Sequence, residues 1–379
     1  MKKIFFLLFF SFPVFAQTPL QFSKKFSTQK LQTSFSDTIK ILAIMVQFQQ
    51  DNENTTTGNG HFDLSTNPQK IIDAPPRDSA YFANHLLFAK NYYTKSSNGK
   101  QFVEATVLGN VITLSQKMQE YSPTKNANGL GNLIEESWKA ADAQNPNFPF
   151  QNYNTFIIFH AGVGKDFDLR GLLGFDPTPY DLPSLYFNLN GLKKIFGENY
   201  NGVQLSNNNI ITNTILLPET ENRTINDNFL QFSINGLLVA NIASHLGLPD
   251  LFDTKTGRTA IGRFGLMDGQ SMFSFFGLFP PEPSAWEKTF LGWTTPITIP
   301  YGTTTHSIPA VGLQRENDTI YKIPISTKEY FLLENRNRDP HKNGQTITFR
   351  WNGQEIQKTF LKDEKNFGYK NILNKLGEN

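Results

Sequence analysis

There is no cysteine in the chain, which excludes a disulfide framework, thiolate metal sites and lipid attachment through an N-terminal Cys. Histidine is scarce, six in 379 residues, and His61, His85, His306 and His341 are scattered without ligand spacing. Charge is nearly balanced, with 35 Lys+Arg against 33 Asp+Glu. Loss of Lys2 and Lys3 with a leader brings the balance to zero, so nothing argues for nucleic acid or an anionic membrane surface. No run is long enough to cross a bilayer, which takes about 20 apolar residues. Also missing are an internal repeat, a nucleotide-binding glycine loop and a Ser-His-Asp arrangement. Such a chain must rely on its core, and its length has room for two domains at about 100–200 residues each.

What is present begins with an export signature. Residues 1–16, MKKIFFLLFFSFPVFA, set Lys2 and Lys3 before an apolar run, with Val14 and Ala16 at small-residue cleavage positions. The run is broken by Ser11 and Pro13, so it predicts a cleaved secretory signal rather than an anchor, with a mature chain starting at Gln17 outside the cytoplasm. Residues 17–36 are polar and aperiodic, a linker or leader.

The folded part starts at Ile39–Gln49, IKILAIMVQFQ, whose β-branched and apolar density predicts a central strand. Asp51 and Asn52 in the loop that follows can offer oxygens to calcium, yet no full ligand pattern accompanies them. Ser79–Tyr93 and Leu130–Ala141 read as helices. Phe102–Leu108 and Val111–Leu114 read as a strand pair turning at Gly109-Asn110. Thr155–Phe159 reads as a buried strand ending in His160, for which a hydrogen-bonded structural role is the expectation. From Ile297 onward short alternating runs predict a small β-rich region.

The most informative stretch is Asn226–Met267. Leu230, Ile234, Leu238, Ile242 and Leu246 recur every fourth residue, which predicts a buried helix over about 226–247. Asp227 and Asn228 stand where an N-cap would, and Gly247 with Pro249 is a stop signal. GLPDLFD and GRFGLMD follow. Together with LAIMVQFQ, YYTKSSNGK, IIFHAGVGKD, DLPSLYF, LLPETEN, PSAWEKTFLGW and EYFLLENRNR, in that order over about residues 39–340, this stretch resembles the immune inhibitor A family of secreted zinc metallopeptidases (peptidase family M-six).

The resemblance implies an α+β, zincin-like domain over residues 37–296, a mixed sheet packed on a long active-site helix, with the β-rich region at 297–379. It also implies zinc held by HExxHxxGxxD, in which two His on one helical face grip the metal and the Glu activates its water. Gly247 and Asp250 match the end of that motif, and Met267 matches the Met beneath the metal. Ala240 and Ser244 stand at the two His positions, and Asn241 at the Glu. Shifting the register by one recovers His245 as a ligand but no base. The expectation is therefore a secreted, proteolytically inactive homologue that acts by binding a protein or peptide partner, with no cofactor. The alternative is a zinc endopeptidase using displaced ligands, His245 and Asp250.

Overall fold

The run Ile39–Val46 forms the middle of a sheet, and its unbroken apolar character follows from that place. The computed structural model describes residues 37–66, 71–225, 228–254, 256–311, 319–336, 345–351 and 354–360. Segments 1–16 and 17–36, Asp227 and His341 lie outside the described residues. Strand β1 (Thr38–Gln47) pairs in parallel with a neighbour on each side, and Ile41, Leu42, Ala43, Ile44 and Val46 are fully buried. A strand covered on both faces has no solvent side and so no alternation. Each large side chain there contributes roughly 1.5–3 kcal/mol.

The chain continues through α1 (Ser79–Ser96) to β2 (Phe102–Thr113), then α2 (Met118–Tyr121) and α3 (Gly129–Gln144) to β3 (Thr155–Val163). After α4 (Leu169–Leu173) come β4 (Leu185–Phe187), α5 (Leu189–Phe196), a small ribbon of β5 (Val203–Gln204) with β6 (Ile210–Ile211), and β7 (Thr214–Thr220). The main sheet has the order β2-β1-β3-β7-β4, with β4 antiparallel at one edge of four parallel strands. The architecture is mixed α/β, a five-strand mixed sheet with several smaller sheets.

The strand pair expected around Gly109-Asn110 is not formed. β2 is one strand, and its register against β1 shifts between Ala43↔Val107 and Met45↔Val111. The Gly-Asn dipeptide sits in this irregularity, because β1 offers the chain backbone partners in the forward direction on either side of it.

Strands β8 (Arg223–Ile225) and β9 (Asn228–Leu230) form a hairpin, and α6 (Asn235–His245) follows it. The expected long helix over 226–247 is therefore shortened to 11 residues, and Asn228 belongs to a strand rather than a cap. The apolar spacing does run back to Leu230, but the backbone there is claimed elsewhere. Phe232 N–H donates to Asn222 Oδ1 (2.8 Å), Ser233 N–H to the Phe276 carbonyl (2.7 Å) and Ile234 N–H to Asp73 Oδ2 (3.0 Å). Phe275, Phe276 and Gly277 have φ of 50°, 56° and 75°, and this left-handed run turns carbonyls onto the start of the helix. The other end follows the sequence. Gly247, at φ 91°, donates to the Ser244 carbonyl (3.0 Å) and Leu248 to that of Ala243 (3.1 Å), a Schellman closure.

Successive residues of β3 face opposite layers. Phe159 stacks on Phe82 of α1 with centroids 4.2 Å apart, and Thr155 bonds to His245 of α6. Phe156, on the other face, meets Trp138 of α3 edge-on at 5.3 Å. Helices α1 and α6 share one layer, joined by Tyr93 Oη donating to the Val239 carbonyl (2.6 Å).

Beyond α7 (Gly269–Met272) comes helix α8 (Ala285–Phe290), within the segment PSAWEKTFLGW. It is held by a capping box between Ser284 and Glu287. Ser284→Ala is expected to lower stability by about 1 kcal/mol, read as a shift of the urea midpoint at unchanged slope. The β-rich region consists of β10 (Ile297–Thr298), β11 (Tyr321–Pro324) and β12 (Tyr330–Leu333) in one sheet, then the hairpin β13 (Gln345–Trp351) and β14 (Gln354–Phe360). Arg336, past the end of β12, donates to the carbonyls of Glu282 (3.1 Å) and Pro283 (2.7 Å) ahead of α8. Among the described residues, no helix is long and apolar enough to cross a membrane.

Candidate functional site

Helix α6 brings the motif positions together on one stretch, but not as a ligand set. Ala240 has no donor atom and is 2% exposed. Asn241 is buried, and its Nδ2 donates back to the Leu237 carbonyl of its own helix (2.9 Å). Ser244 likewise turns inward, its Oγ donating to the Ala240 carbonyl (3.3 Å). His245 points to the sheet: Nε2 lies 2.9 Å from Thr155 Oγ1 and Nδ1 3.3 Å from Tyr186 Oη. Burial lowers its pKa to about 4, so the ring is neutral near pH 7 and both nitrogens are occupied by hydroxyls. Asp250, past the Gly247 turn, is exposed. Among the described residues no three His, Asp or Glu side chains converge on one point. The residues present do not fit a zinc ion, which needs about three protein ligands.

Comparison with known protein families and with curated proteins finds no match.

The segment after the motif is a built structure all the same. Leu251 N–H donates to the Met267 carbonyl (2.9 Å), which brings the chain after Asp250 onto the Met267 turn. Met267 is 1% exposed. Beneath it lies Glu287 of α8, fully buried, whose two oxygens accept from the N–H groups of Met267 (2.8 Å) and Leu266 (3.1 Å). Asp268, also fully buried, accepts from Thr259 Oγ1 (2.7 Å) and the N–H groups of Ala260 and Ile261. Sequence reasoning passed over Glu287, although Ser284-x-x-Glu287 is a recognisable capping-box spacing.

A second polar assembly lies at the opposite end of the sheet. At the end of β7, Glu219 accepts from the N–H groups of Gly162 (3.2 Å) and Asp63 (3.2 Å), and burial raises its pKa to about 7 against the lowering effect of Arg77. Arg77 donates Nε and Nη2 to the Asp73 carbonyl. Behind them, Asp181 accepts from Thr57 N–H and Oγ1, and burial raises its pKa to about 6. Burial also pushes Glu221 and Asp166 upward, and each faces the other as well as Arg223. The segments DLPSLYF and LLPETEN supply Asp181, Glu219 and Glu221. Nothing in their local spacing shows that Glu221 meets Asp166 or that Glu219 meets Arg77, because distant turns bring each pair together.

The remaining histidines divide in the same way. His160 is fully buried; its Nδ1 donates to the Ala161 carbonyl (2.9 Å), Nε2 has no hydrogen-bond partner, and burial lowers its pKa to about 4. His85 meets the first residue of α6, with Nδ1 2.7 Å from Asn235 Oδ1 and Nε2 3.7 Å from Asp73 Oδ2. His61 and Arg77 both line an open cleft at the ends of β3 and β7. His306 is exposed near Thr304 and Tyr321. Asp51 is buried and accepts from Glu53 N–H (3.1 Å).

Proposed function

We propose that the chain is an exported, non-hydrolytic homologue of the immune inhibitor A-like metallopeptidases and acts by binding a protein or peptide. A mixed sheet packed on the helix that carries the motif positions supports the zincin-like part of this reading. So do the sharp Gly247 turn and the buried Met267 turn. The observation that carries the inactive part is the motif face of α6, where the side chains at 240, 241 and 244 offer no imidazole and no carboxylate. Asn241 cannot take a proton from water, and its amide is committed to its own helix.

The purified protein is expected to hold no stoichiometric zinc and to leave casein intact. Elemental analysis and a chelator-controlled protease assay measure both. Recovery of proteolysis is expected to need Ala240→His, Asn241→Glu and Ser244→His together, since the general base alone is worth about 10²–10⁴-fold. Chelator-sensitive cleavage by the unmodified chain, abolished by Asp250→Ala, would instead establish displaced ligands. Mass spectrometry of exported material is expected to show Gln17 at the N-terminus; an intact Met1 would defeat the export part of the reading.

A further inference from the structure

The loop from Gly164 to Pro183 leaves the end of β3 and returns to the sheet at β4. Its two ends lie side by side, since Gly164 and Leu182 form a bridge and Lys165 N–H donates to the Leu182 carbonyl (2.9 Å). A group of charged side chains fastens this crossing to the end of β7. Asp166 accepts from Ser184 N–H (3.1 Å) and Ser184 Oγ (2.7 Å). Glu221, the residue after β7, is fully buried and lies against Asp166. Arg223 in β8 donates Nη2 to the Gly164 carbonyl and to Glu221 Oε2 (3.2 Å).

The other Glu221 oxygen has no donor. Oε1 is buried without a hydrogen-bond partner, and it shares its space with Asp166. A methyl group on Gly164 would come within 1.8 Å of Glu221 Oε1 and 2.7 Å of Asp166 Oδ2. Ionised carboxylates are acceptors only, so two that face each other are joined when one of them carries a proton. A metal ion would need more ligands: among the described residues no three His, Asp or Glu side chains are placed to hold one. Asp181 is the third acid within electrostatic reach of Glu221 and Arg223. It is engaged by Thr57 N–H (2.6 Å) and Thr57 Oγ1 (2.7 Å) on the loop after β1. Burial pushes both Glu221 and Asp166 upward; Asp166 adds to the rise of Glu221, and Arg223 opposes both. We propose that Asp166 and Glu221 share one proton, and that this proton is a latch holding loop 164–183 to the end of β7 and releasing it as the pH rises. Once the proton passes to water, two carboxylates stand against Arg223 alone. The excess charge is buried, and only movement of the loop brings water to it. The protonated pair is the closed state, so the latch holds through the ordinary carboxylate range and opens above the raised one.

The latch goes beyond the reading of the chain as a binding protein and stands without it. The test is hydrogen–deuterium exchange of the intact mature protein from about pH 5 to about pH 9, each amide rate being divided by its intrinsic rate at that pH. Relative to β1 and β3, protection of residues 165–183 is expected to fall at least about tenfold over this range. Glu221→Gln sets an amide N–H where the proton was and holds Asp166 at every pH, so its loop protection is expected to vary by less than about threefold. Ser184→Ala keeps both acids but removes a donor that favours the ionised Asp166. It is expected to move the midpoint of opening up by about 0.5–1 pH unit, which a purely structural role would not do. Level protection across the range in the unmodified protein would overturn the proposal. So would a folded Glu221→Gln protein that shows the same fall. Where that variant does not fold, the Ser184→Ala midpoint decides, and an unmoved midpoint overturns the proposal.

Discussion

Replacing Glu287 with alanine is expected to cost the fold about 3–5 kcal/mol, measured as the loss of unfolding free energy in urea. The carboxylate is fully buried and accepts from the N–H groups of Leu266, Met267 and Ser284. Leu266 and Met267 are 0% and 1% exposed, so water cannot replace the lost acceptor without opening the turn. An unmet buried donor costs about 1–3 kcal/mol, and the capping box of α8 goes with it. Glu287→Gln keeps one acceptor but sets an amide N–H against a backbone N–H, and should fall between alanine and wild type. A loss below about 1 kcal/mol for Glu287→Ala, the scale of one surface cap, would show that this carboxylate does not organise the Met267 turn.

The second large effect is in the pH dependence. Glu219 and Asp181 have pKa values raised to about 7 and about 6 in the fold, and Glu221 and Asp166 are shifted the same way. Between the unfolded carboxylate value near 4 and the folded one, the native state binds more protons, so stability falls as pH rises through that window. Their contribution is fully present below the unfolded pKa and lost above the folded one. His160 and His245, lowered to about 4, act in the opposite sense. Each contributes stability present above about pH 6.5 and lost as pH falls towards 4. Between about pH 5 and 6 the two histidines offset Glu219 and Asp181 group for group, so the decline of stability with rising pH is carried by Glu221 and Asp166, whose pKa values burial raises. His245→Gln removes one opposing group and should steepen the decline by about 2 kcal/mol between pH 5 and 6.5. Urea titrations at several pH values measure it. Stability that rises from about pH 5 to 6 would contradict the raised pKa values of Glu221 and Asp166.

How much of this was legible in the sequence depended on the range of the causes. Ile39–Gln49 and Thr155–Phe159 announced buried strands because a strand covered on both faces must be apolar at every position. Gly247 announced the end of α6, since only a residue tolerant of positive φ closes a helix in that way. The start of α6 was not legible: Asp73 and the carbonyl of Phe276 claim the backbone ahead of Asn235, and nothing local to the sequence ahead of α6 says so. Gly109-Asn110 failed for a similar reason, because an extended partner already in place outcompeted a local turn. At the candidate site, the missing ligands were legible residue by residue, whereas the turning of His245 to Thr155 and Tyr186 was not. The cleft depends on strand order, which no short segment encodes.

The central place of β1 also sets a timetable for folding. Its partners arrive late: β2 begins more than 50 residues downstream, and Lys40, inside β1, bonds to Asn154 across a separation of 114 residues. Parallel pairing admits no hairpin shortcut, and contacts of such long range form slowly. At synthesis rates of about 5–20 residues per second, β1 waits on the order of ten seconds for its second neighbour. Throughout that interval a ladder of unpaired N–H and C=O groups, flanked by Ile, Leu, Met and Val, is open to any other extended chain. The feature that makes the finished core dry thus makes the nascent chain a client for holding factors, and makes refolding yield depend steeply on protein concentration.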